Sequence, residues 1–153
     1  KVGPMEVAAA RIARTLGFSK LPLGAESKNT TFETNIFTHD EPRSKMNKEM
    51  LAQRPDYHLK SPSFAWANAA LDLYARWRKT AAFRNMNTPL MIASAGAESL
   101  VSNAAQSSVA ERIGEKATLV SIPNARHEIL MEADAIRDQL WEKFDAMCTA
   151  HGV

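Results

Sequence analysis

The amino-acid sequence predicts an α/β fold in which parallel strands flanked by helices are joined to a mostly helical cap region. Its last third alternates short apolar runs with amphipathic segments, in the order strand, helix, strand, helix, which is typical of parallel sheets with crossover helices. The preceding part instead combines amphipathic segments with a long irregular stretch. With 153 residues, 45% of them apolar, the chain is long enough to bury a hydrophobic core.

A helix is predicted over residues 4–16, at the start of the chain. Pro4 suits the first turn of a helix, and Gly17 suits the position just past its end. Apolar side chains recur there every three or four residues, and we expect them to face the core. They are Met5, Ala8, Ala9, Ile12 and Leu16. Residues 1–17 are therefore interpreted as a core helix.

Residues 18–86 are predicted to form the cap or lid. Their first part, residues 18–47, mixes turn-forming residues with scattered apolar ones and shows no sustained period. Such a long stretch without regular structure is more typical of a lid or a binding loop than of a compact core, although a plain solvent-facing connection is the alternative. A short helix is expected over residues 48–53.

The strongest helical pattern covers residues 61–84. Ser61 or Ser63 can cap this helix, and Pro62 fits its first turn. One face carries an apolar stripe, for which core packing is the favoured interpretation and a pocket at its first tryptophan is the alternative. The stripe comprises Trp66, Ala70, Leu73, Trp77 and Ala81.

Residues 87–153 are predicted to be a segment of the α/β core. The predicted elements are strands over residues 88–94 and 117–122 and helices over residues 103–113 and 133–147. Asn103 and Gln106 form a candidate capping box, and Gly114 marks the end of that helix. A two-stranded parallel sheet needs cover on both faces and both edges. Further strands are therefore expected upstream of Lys1, where the chain starts without an initiator methionine.

Composition argues against several kinds of partner. The net charge is only +2, with acids and bases interspersed, so nothing favours a nucleic-acid partner. The single cysteine, Cys148, cannot form an internal disulfide, and we expect a cytoplasmic protein. No apolar run reaches the roughly 18 residues of a membrane-spanning helix, and no signal peptide is recognisable.

Two polar side chains follow successive predicted strands. Glu98 lies in the turn after the first strand, and His127 lies in the turn after the second. Because parallel strands end at one edge of a sheet, we expect these side chains to meet. A carboxylate that accepts the proton of one imidazole nitrogen fixes the tautomer and leaves the other nitrogen to face a nucleophile. The sequence thus predicts an acid–histidine pair.

Metal binding and simple packing are the rival roles for His127. No two of the four histidines stand at the helical spacing of metal ligands, and no cysteine cluster accompanies them, so no metal site is predicted. A histidine packed at a strand-to-helix turn stays open on the local sequence alone. Arg126, Glu128 and Glu132 are interpreted as a local ion-pair and capping set, with Arg137 nearby.

Two blocks of sequence carry a family resemblance. The first is "ESLV", residues 98–101, in the turn that bears the acid, and the second is "ARHEILMEADAIR", residues 125–137. They resemble the C-terminal part of the lysophospholipase L2 and monoacylglycerol lipase group of α/β-hydrolases. The segment "NIFTHDEPR", residues 35–43, and the helix that carries Trp66 are similar to the cap of that group. In this fold the serine precedes the acid and the histidine, in a G-x-S-x-G turn that the 153 residues lack.

The resemblance implies a serine hydrolase that cleaves carboxylic esters of lysophospholipids or monoacylglycerols. His127 would be the general base and Glu98 would orient it. The serine would come from an N-terminal half of the same hydrolase, so the chain alone is expected to be inactive. Trp66, Phe64 and Phe37 would line an apolar acyl site. No cofactor is implied, and peripheral contact with the inner membrane would suit a lipid substrate. The alternatives are hydrolysis of another small ester or amide, and a non-catalytic binding protein of the same fold.

Overall fold

The computed structural model describes four stretches of the chain, residues 4–23, 31–57, 61–79 and 86–152. The chain divides into two compact units. Unit 1 comprises residues 1–29 and 54–82, and unit 2 comprises residues 30–53 and 83–153. The predicted divisions after residues 17 and 86 stay predictions.

The described residues form five α-helices and two strands. In chain order they are α1 (Pro4–Thr15), α2 (Glu41–Gln53), α3 (Phe64–Lys79), β1 (Leu90–Ala95), α4 (Asn103–Ile113), β2 (Ala117–Ile122) and α5 (Asp134–Ala150). Helices α1 and α3 belong to unit 1, and the other elements belong to unit 2. Within these described stretches, no helix combines the length and the apolar character that crossing a membrane requires.

Helix α1 packs on α3 through small side chains. Ala10 and Ala13 are buried, and the buried side chain of Asn68 donates a hydrogen bond to the carbonyl oxygen of Ala10 at 2.6 Å. Ile12 and Leu16 of the predicted core stripe are instead more than half exposed. The predicted helix is confirmed, but the predicted buried face is wrong. Alanine allows the close approach of two helix backbones that this hydrogen bond needs, whereas bulky side chains would hold them apart.

Helix α3 is capped as predicted but also buries a different face. The hydroxyl oxygen of Ser63 accepts a hydrogen bond from the backbone N–H of Trp66 at 3.2 Å, which selects Ser63 over Ser61 as the cap. Trp66 and Trp77 are both about half exposed or more, so the expected core packing of the tryptophan stripe is wrong for them. The end of that stripe, at position 81, lies outside the described residues.

Helix α2 begins earlier than the expected short helix over residues 48–53. A carboxylate oxygen of Asp40 accepts a hydrogen bond from the backbone N–H of Arg43 at 2.8 Å, and Pro42 occupies the first turn. The helix therefore starts at Glu41. Aspartate followed by a proline two residues later is a helix-start signal, and it outweighs the polar composition of the segment that follows.

The two strands pair in parallel, as predicted. The register runs from Leu90 opposite Ala117 to Ala95 opposite Ile122. Ala95, Ile122 and the following Ala125 form the buried cluster of unit 2. Partly buried apolar side chains pack against this cluster, namely Val120, Ile129, Ile136 and Leu140. The cluster thus lies where both strands end.

Helices α4 and α5 follow the two strands in the predicted order. The cap of α4 is Ser102, whose hydroxyl accepts from the N–H of Ala105 at 3.3 Å, so the expected capping box at Asn103 is wrong. The side chain of Asn103 instead donates to the carbonyl oxygen of Ala95 at 2.9 Å. This bond ties the start of α4 to the end of β1. Gly114 ends α4 with a φ of 76°, as its position predicts.

Candidate active site

The loops after β1 and β2 remain hydrogen-bonded to each other beyond the strands. Gly96 N–H donates to the carbonyl oxygen of Ile122 at 2.9 Å, and Ala97 N–H donates to that of Ala125 at 2.8 Å. Asn124 turns the second loop with a φ of 62°, a left-handed conformation that asparagine tolerates better than most residues. The turns that carry the acid and the histidine are therefore fastened side by side.

Glu98 and His127 meet as the sequence predicts. His127 Nδ1 lies 2.8 Å from Glu98 Oε2. The Glu98 side chain is 3% exposed and the His127 side chain 30% exposed. An ionised carboxylate only accepts hydrogen bonds, so Nδ1 carries the proton and Nε2 carries the lone pair. The arrangement can therefore take up a proton at Nε2 while the buried carboxylate stabilises the imidazolium that forms.

Backbone donors hold the Glu98 carboxylate in its ionised form. Burial by itself raises the pKa of Glu98. The N–H groups of Leu100 and Val101 donate to Oε1 at 2.6 and 3.2 Å, and together with the His127 hydrogen bond they outweigh burial and lower that pKa below its ordinary value. The "ESLV" turn thus orients the acid by its own backbone.

Phe37 lies beside the histidine. Its ring centroid is 6.2 Å from that of His127, with the planes at 70°, an edge-to-face contact. The carbonyl oxygen of Phe37 also accepts a hydrogen bond from Glu128 N–H at 2.9 Å. About half of the Phe37 side chain is exposed. Of the three predicted substrate-binding residues, this one adjoins the acid–histidine pair.

The other two predicted substrate-binding residues, Phe64 and Trp66, lie in the first turn of α3, in unit 1. Phe64 is partly buried and Trp66 is about two-thirds exposed. Their role in substrate binding stays a prediction. Among the described residues, no group of three or more His, Cys, Asp or Glu side chains is placed to hold a metal ion.

Glu132 has a role that the sequence did not reveal. Its carboxylate is fully buried and accepts from Arg126 N–H at 2.6 Å and from His39 N–H at 2.8 Å, while His39 Nδ1 lies 3.0 Å from Oε1. The guanidinium of Arg126 binds the carbonyl oxygens of Asn35 and Thr38 instead of a carboxylate. The predicted local ion pair is therefore wrong, because the Arg126 guanidinium binds residues about ninety positions away in the sequence. The local contact between Arg126 and Glu132 is a hydrogen bond from the backbone N–H of Arg126.

Nearby charges complete this cluster. Arg43 donates to the carbonyl oxygen of Glu132 and to the carboxylate of Asp134. Arg137 also pairs with Asp134, at 2.7 Å. The "THDEPR" stretch carries a capping aspartate that places the arginine in the first turn of α2. No local pattern indicates that this arginine meets the loop after β2.

Alanine at Gly96 is expected to destabilise unit 2. An added Cβ would stand 3.0 Å from the carbonyl oxygen of Ile122 and 3.1 Å from the nitrogen of Asn124, both backbone atoms that cannot rotate away. We expect Gly96→Ala to lower the free energy of unfolding by about 1–3 kcal/mol, the usual range for overpacking. Urea denaturation measures this loss. An unchanged free energy of unfolding in Gly96→Ala would contradict the prediction.

The carboxylate of Glu132 makes stability depend on pH. Burial raises its pKa, but the donors at Arg126 and His39 outweigh burial and lower it below 4.5. The stabilisation that the ionised Glu132 carboxylate provides is therefore fully present at pH values above its pKa in the unfolded state. It is lost as the pH falls through its pKa in the folded state. The groups that face the carboxylate are His39, the Arg126 N–H and the Thr38 hydroxyl, and Arg43 with its partner Asp134 lies at the Glu132 carbonyl oxygen.

We accordingly expect the free energy of unfolding of the wild type to fall more steeply than that of Glu132→Gln between about pH 5 and pH 3. Urea denaturation at each pH gives both curves. The other carboxylates contribute equally to the pH dependence of stability in both proteins. The difference between the two curves therefore measures the contribution of the Glu132 side chain. Parallel curves would show that folding does not lower the pKa of the Glu132 carboxylate.

Comparison with known proteins identifies the family. The family model described as serine aminopeptidase, S33, matches residues 5–134. Among solved structures, the chain is similar to a soluble variant of monoglyceride lipase from Saccharomyces cerevisiae in complex with a substrate analog, with 16% sequence identity and a TM-score of 0.64. That match covers 97% of this chain and 49% of the lipase, so the chain spans about half the length of the lipase. No curated protein matches it significantly.

The structural likeness confirms the predicted fold, parallel strands flanked by helices as in α/β-hydrolases. The family model matches well over half of the 153 residues, and the matched stretch includes both Glu98 and His127. The chain therefore belongs to the serine aminopeptidase S33 family of α/β-hydrolases.

Proposed function

We propose that the complete protein is a serine hydrolase that cleaves carboxylic esters of lysophospholipids or monoacylglycerols. The observation that carries the proposal is the 2.8 Å contact between His127 Nδ1 and the buried carboxylate of Glu98. A histidine held in this way has one free basic nitrogen at a partly exposed position, which is what a serine nucleophile needs beside it.

In the proposed mechanism, Nε2 of His127 takes the proton of a serine hydroxyl as its oxygen attacks the ester carbonyl. The tetrahedral intermediate collapses as His127 returns that proton to the departing alcohol, leaving an acyl-serine. Water then attacks the acyl-serine with the same histidine as base and releases the fatty acid. Glu98 keeps the imidazole in the required tautomer throughout. These steps use no metal or organic cofactor.

The serine is proposed to come from an N-terminal half of the same hydrolase. No G-x-S-x-G turn occurs in the 153 residues, and the likeness to the yeast lipase extends over half of that protein. Parallel strands normally lie in larger sheets covered on both faces, whereas β1 and β2 pair with each other as the one sheet of the described residues. A further strand beside this pair would extend the sheet and add the nucleophile at the same edge.

An acyl chain is the proposed occupant of the apolar site. Phe37 supports this, because its half-exposed ring lies against His127 and offers apolar surface where a substrate would react. Phe64 and Trp66 are proposed to contribute from α3. The family resemblance in the blocks at residues 98–101 and 125–137 supports lysophospholipids or monoacylglycerols as the esters. A cytoplasmic location with peripheral membrane contact is proposed with the lipid substrate.

Hydrolysis of a small amide is the alternative that one observation favours. The family model that matches the chain is described as a serine aminopeptidase, and the same acid–histidine pair serves amide and ester cleavage alike. A non-catalytic protein that kept the fold is the further alternative. Parallel assays with a monoacylglycerol, a lysophospholipid and an aminoacyl amide separate the two hydrolytic functions.

Covalent labelling tests the proposed function directly. The complete protein should react with a fluorophosphonate probe, which labels an activated serine, and peptide mapping should place the label in a G-x-S-x-G turn. We expect monoacylglycerol to compete with the probe and an aminoacyl amide not to compete. A complete protein that takes no label and cleaves none of the three substrates would refute the proposal and leave the non-catalytic alternative.

A further inference from the structure

We propose that Glu132 is a positioning residue for His127, which it holds in the orientation that meets Glu98. The inference rests on the proposed function, in which His127 is the catalytic base. Glu132 would act through the Ala125–Arg126 peptide group, one residue before the histidine, because its carboxylate accepts the N–H of Arg126 at 2.6 Å. It lies five positions beyond His127, after the short turn at Ile129–Met131.

The Glu132 carboxylate is an unusually constrained group. It has no exposed surface, and four donors converge on it: the N–H groups of Arg126 and His39, His39 Nδ1 at 3.0 Å, and the Thr38 hydroxyl at 3.3 Å. A buried charge is costly unless donors satisfy it, so the carboxylate and its donors are stable only together. Two of the donors are backbone groups, and they would be left buried without a partner if the carboxylate were removed.

Both neighbours of His127 are tied to the same distant segment. Arg126 is bound through its N–H to Glu132, and its guanidinium donates to the carbonyl oxygen of Thr38 at 3.0 Å. On the other side, Glu128 N–H donates to the carbonyl oxygen of Phe37 at 2.9 Å. The segment that contributes these carbonyl groups continues into His39, which binds Glu132 itself. The backbone is therefore held at the Ala125–Arg126 peptide before the histidine and at the His127–Glu128 peptide after it.

These ties matter because the loop from β2 to the turn at Ile129–Met131 has no helix or strand to orient His127. The direction of the imidazole depends on the backbone held at these two peptides, and Glu132 fixes the one before the histidine. A displacement of about 1 Å in a catalytic group can cost about 100-fold in rate. A group that acts only on overall stability would not have this effect in the folded protein.

Nuclear magnetic resonance of the 153-residue chain tests the inference without any need for activity. The proton that His127 Nδ1 shares with Glu98 should give a low-field resonance, identified by its loss in Glu98→Gln and His127→Gln. In Glu132→Gln, whose amide nitrogen cannot accept a hydrogen bond, we expect this resonance to broaden or disappear. Glu132→Asp, which keeps both acceptor oxygens, should restore part of it. Glu142→Gln, an exposed glutamate on α5, is the matched control.

Kinetics of the complete protein provide the second measurement. We expect Glu132→Gln to lower kcat by about 10- to 100-fold while KM changes little, because the base is misplaced and the acyl site is not. His39→Ala, which removes only one donor at a half-exposed side chain, should give a smaller loss of the resonance and of kcat. If Glu132→Gln does not fold, the comparison of His39→Ala with the wild type tests the inference in its place.

A variant that unfolds at lower temperature but keeps the low-field resonance and a wild-type kcat would show that Glu132 is merely structural and would overturn the inference. If the wild-type complete protein shows neither labelling nor hydrolysis, the proposed function fails. The resonance then still decides whether Glu132 positions His127, since it requires only the folded chain.

Discussion

Alanine in place of His127 is expected to lower kcat/KM for ester hydrolysis by the complete protein by about 10⁵- to 10⁶-fold, as loss of a triad histidine does. The imidazole is held through Nδ1 by the buried carboxylate of Glu98, which leaves its basic Nε2 for the serine. Without it, the serine hydroxyl keeps its proton and the departing alcohol receives none. Initial rates with a monoacylglycerol measure the loss, and fluorophosphonate labelling should slow in parallel.

His151→Ala is the matched control for this variant, because His151 is exposed just after α5 and lies outside the site. Its rates should equal those of the wild type. The far-ultraviolet circular dichroism of both variants should match as well, since neither side chain belongs to the buried cluster. Unchanged labelling in His127→Ala would mean that the serine is activated by another group, and the mechanism would be wrong.

Glutamine in place of Glu98 is expected to lower kcat by about 10⁴-fold, the loss seen when a triad carboxylate becomes an amide. The amide would present either a donor or a neutral acceptor to Nδ1 and would no longer stabilise the imidazolium. One amide oxygen can still accept from the N–H groups of Leu100 and Val101, so we expect the turn to keep its shape. The assay is single-turnover acylation with a monoacylglycerol.

Glu115→Gln provides the control for Glu98→Gln, since it removes an exposed carboxylate from the turn that precedes β2. Equal hydrolysis by wild type and Glu98→Gln would exclude Glu98 as the orienting acid. Glu98→Asp adds a finer test. Aspartate is one methylene shorter, so it cannot reach both Nδ1 and the two N–H groups from the same backbone, and intermediate rates are expected.

The acid–histidine pair was predictable because it depends on short-range patterns. Each strand is an apolar run bounded by turn residues, and β2 has the predicted limits, Ala117–Ile122. Parallel strands end at one edge of a sheet, so two polar groups placed just after successive strands must be close. The pairing of Glu98 with His127 follows from strand limits and strand direction, which the local sequence largely determines.

Helix faces were less predictable, for a physical reason. An apolar stripe indicates that a helix is amphipathic but does not say what covers the stripe. Among the side chains of α1 that the structure describes, the small residues Ala10 and Ala13 are buried, whereas Ile12 remains exposed. In α3 the buried side chain is Asn68, a polar residue that the helical period would place outside the core.

Long-range polar contacts were not predictable at all. In the local sequence, Glu132 is one charged residue in a polar stretch. Its burial depends on hydrogen-bond donors contributed by His39 and Arg126. The first of these lies 93 residues away in the sequence. Hydrogen bonds across such distances leave no periodic trace, because a single pair of residues carries each one. Only the folded arrangement reveals that this glutamate has donors on both sides.

The hydrogen bonds between the two loops have a consequence for protein engineering. Gly96 bonds to the end of β2 and Ala97 bonds to the loop after it, so the acid and the histidine both belong to unit 2. Under the proposed function, the acid and histidine could therefore be supplied on one polypeptide and the serine on another. Reassociation of the two pieces would then restore turnover, and the signal would record when two fused proteins meet.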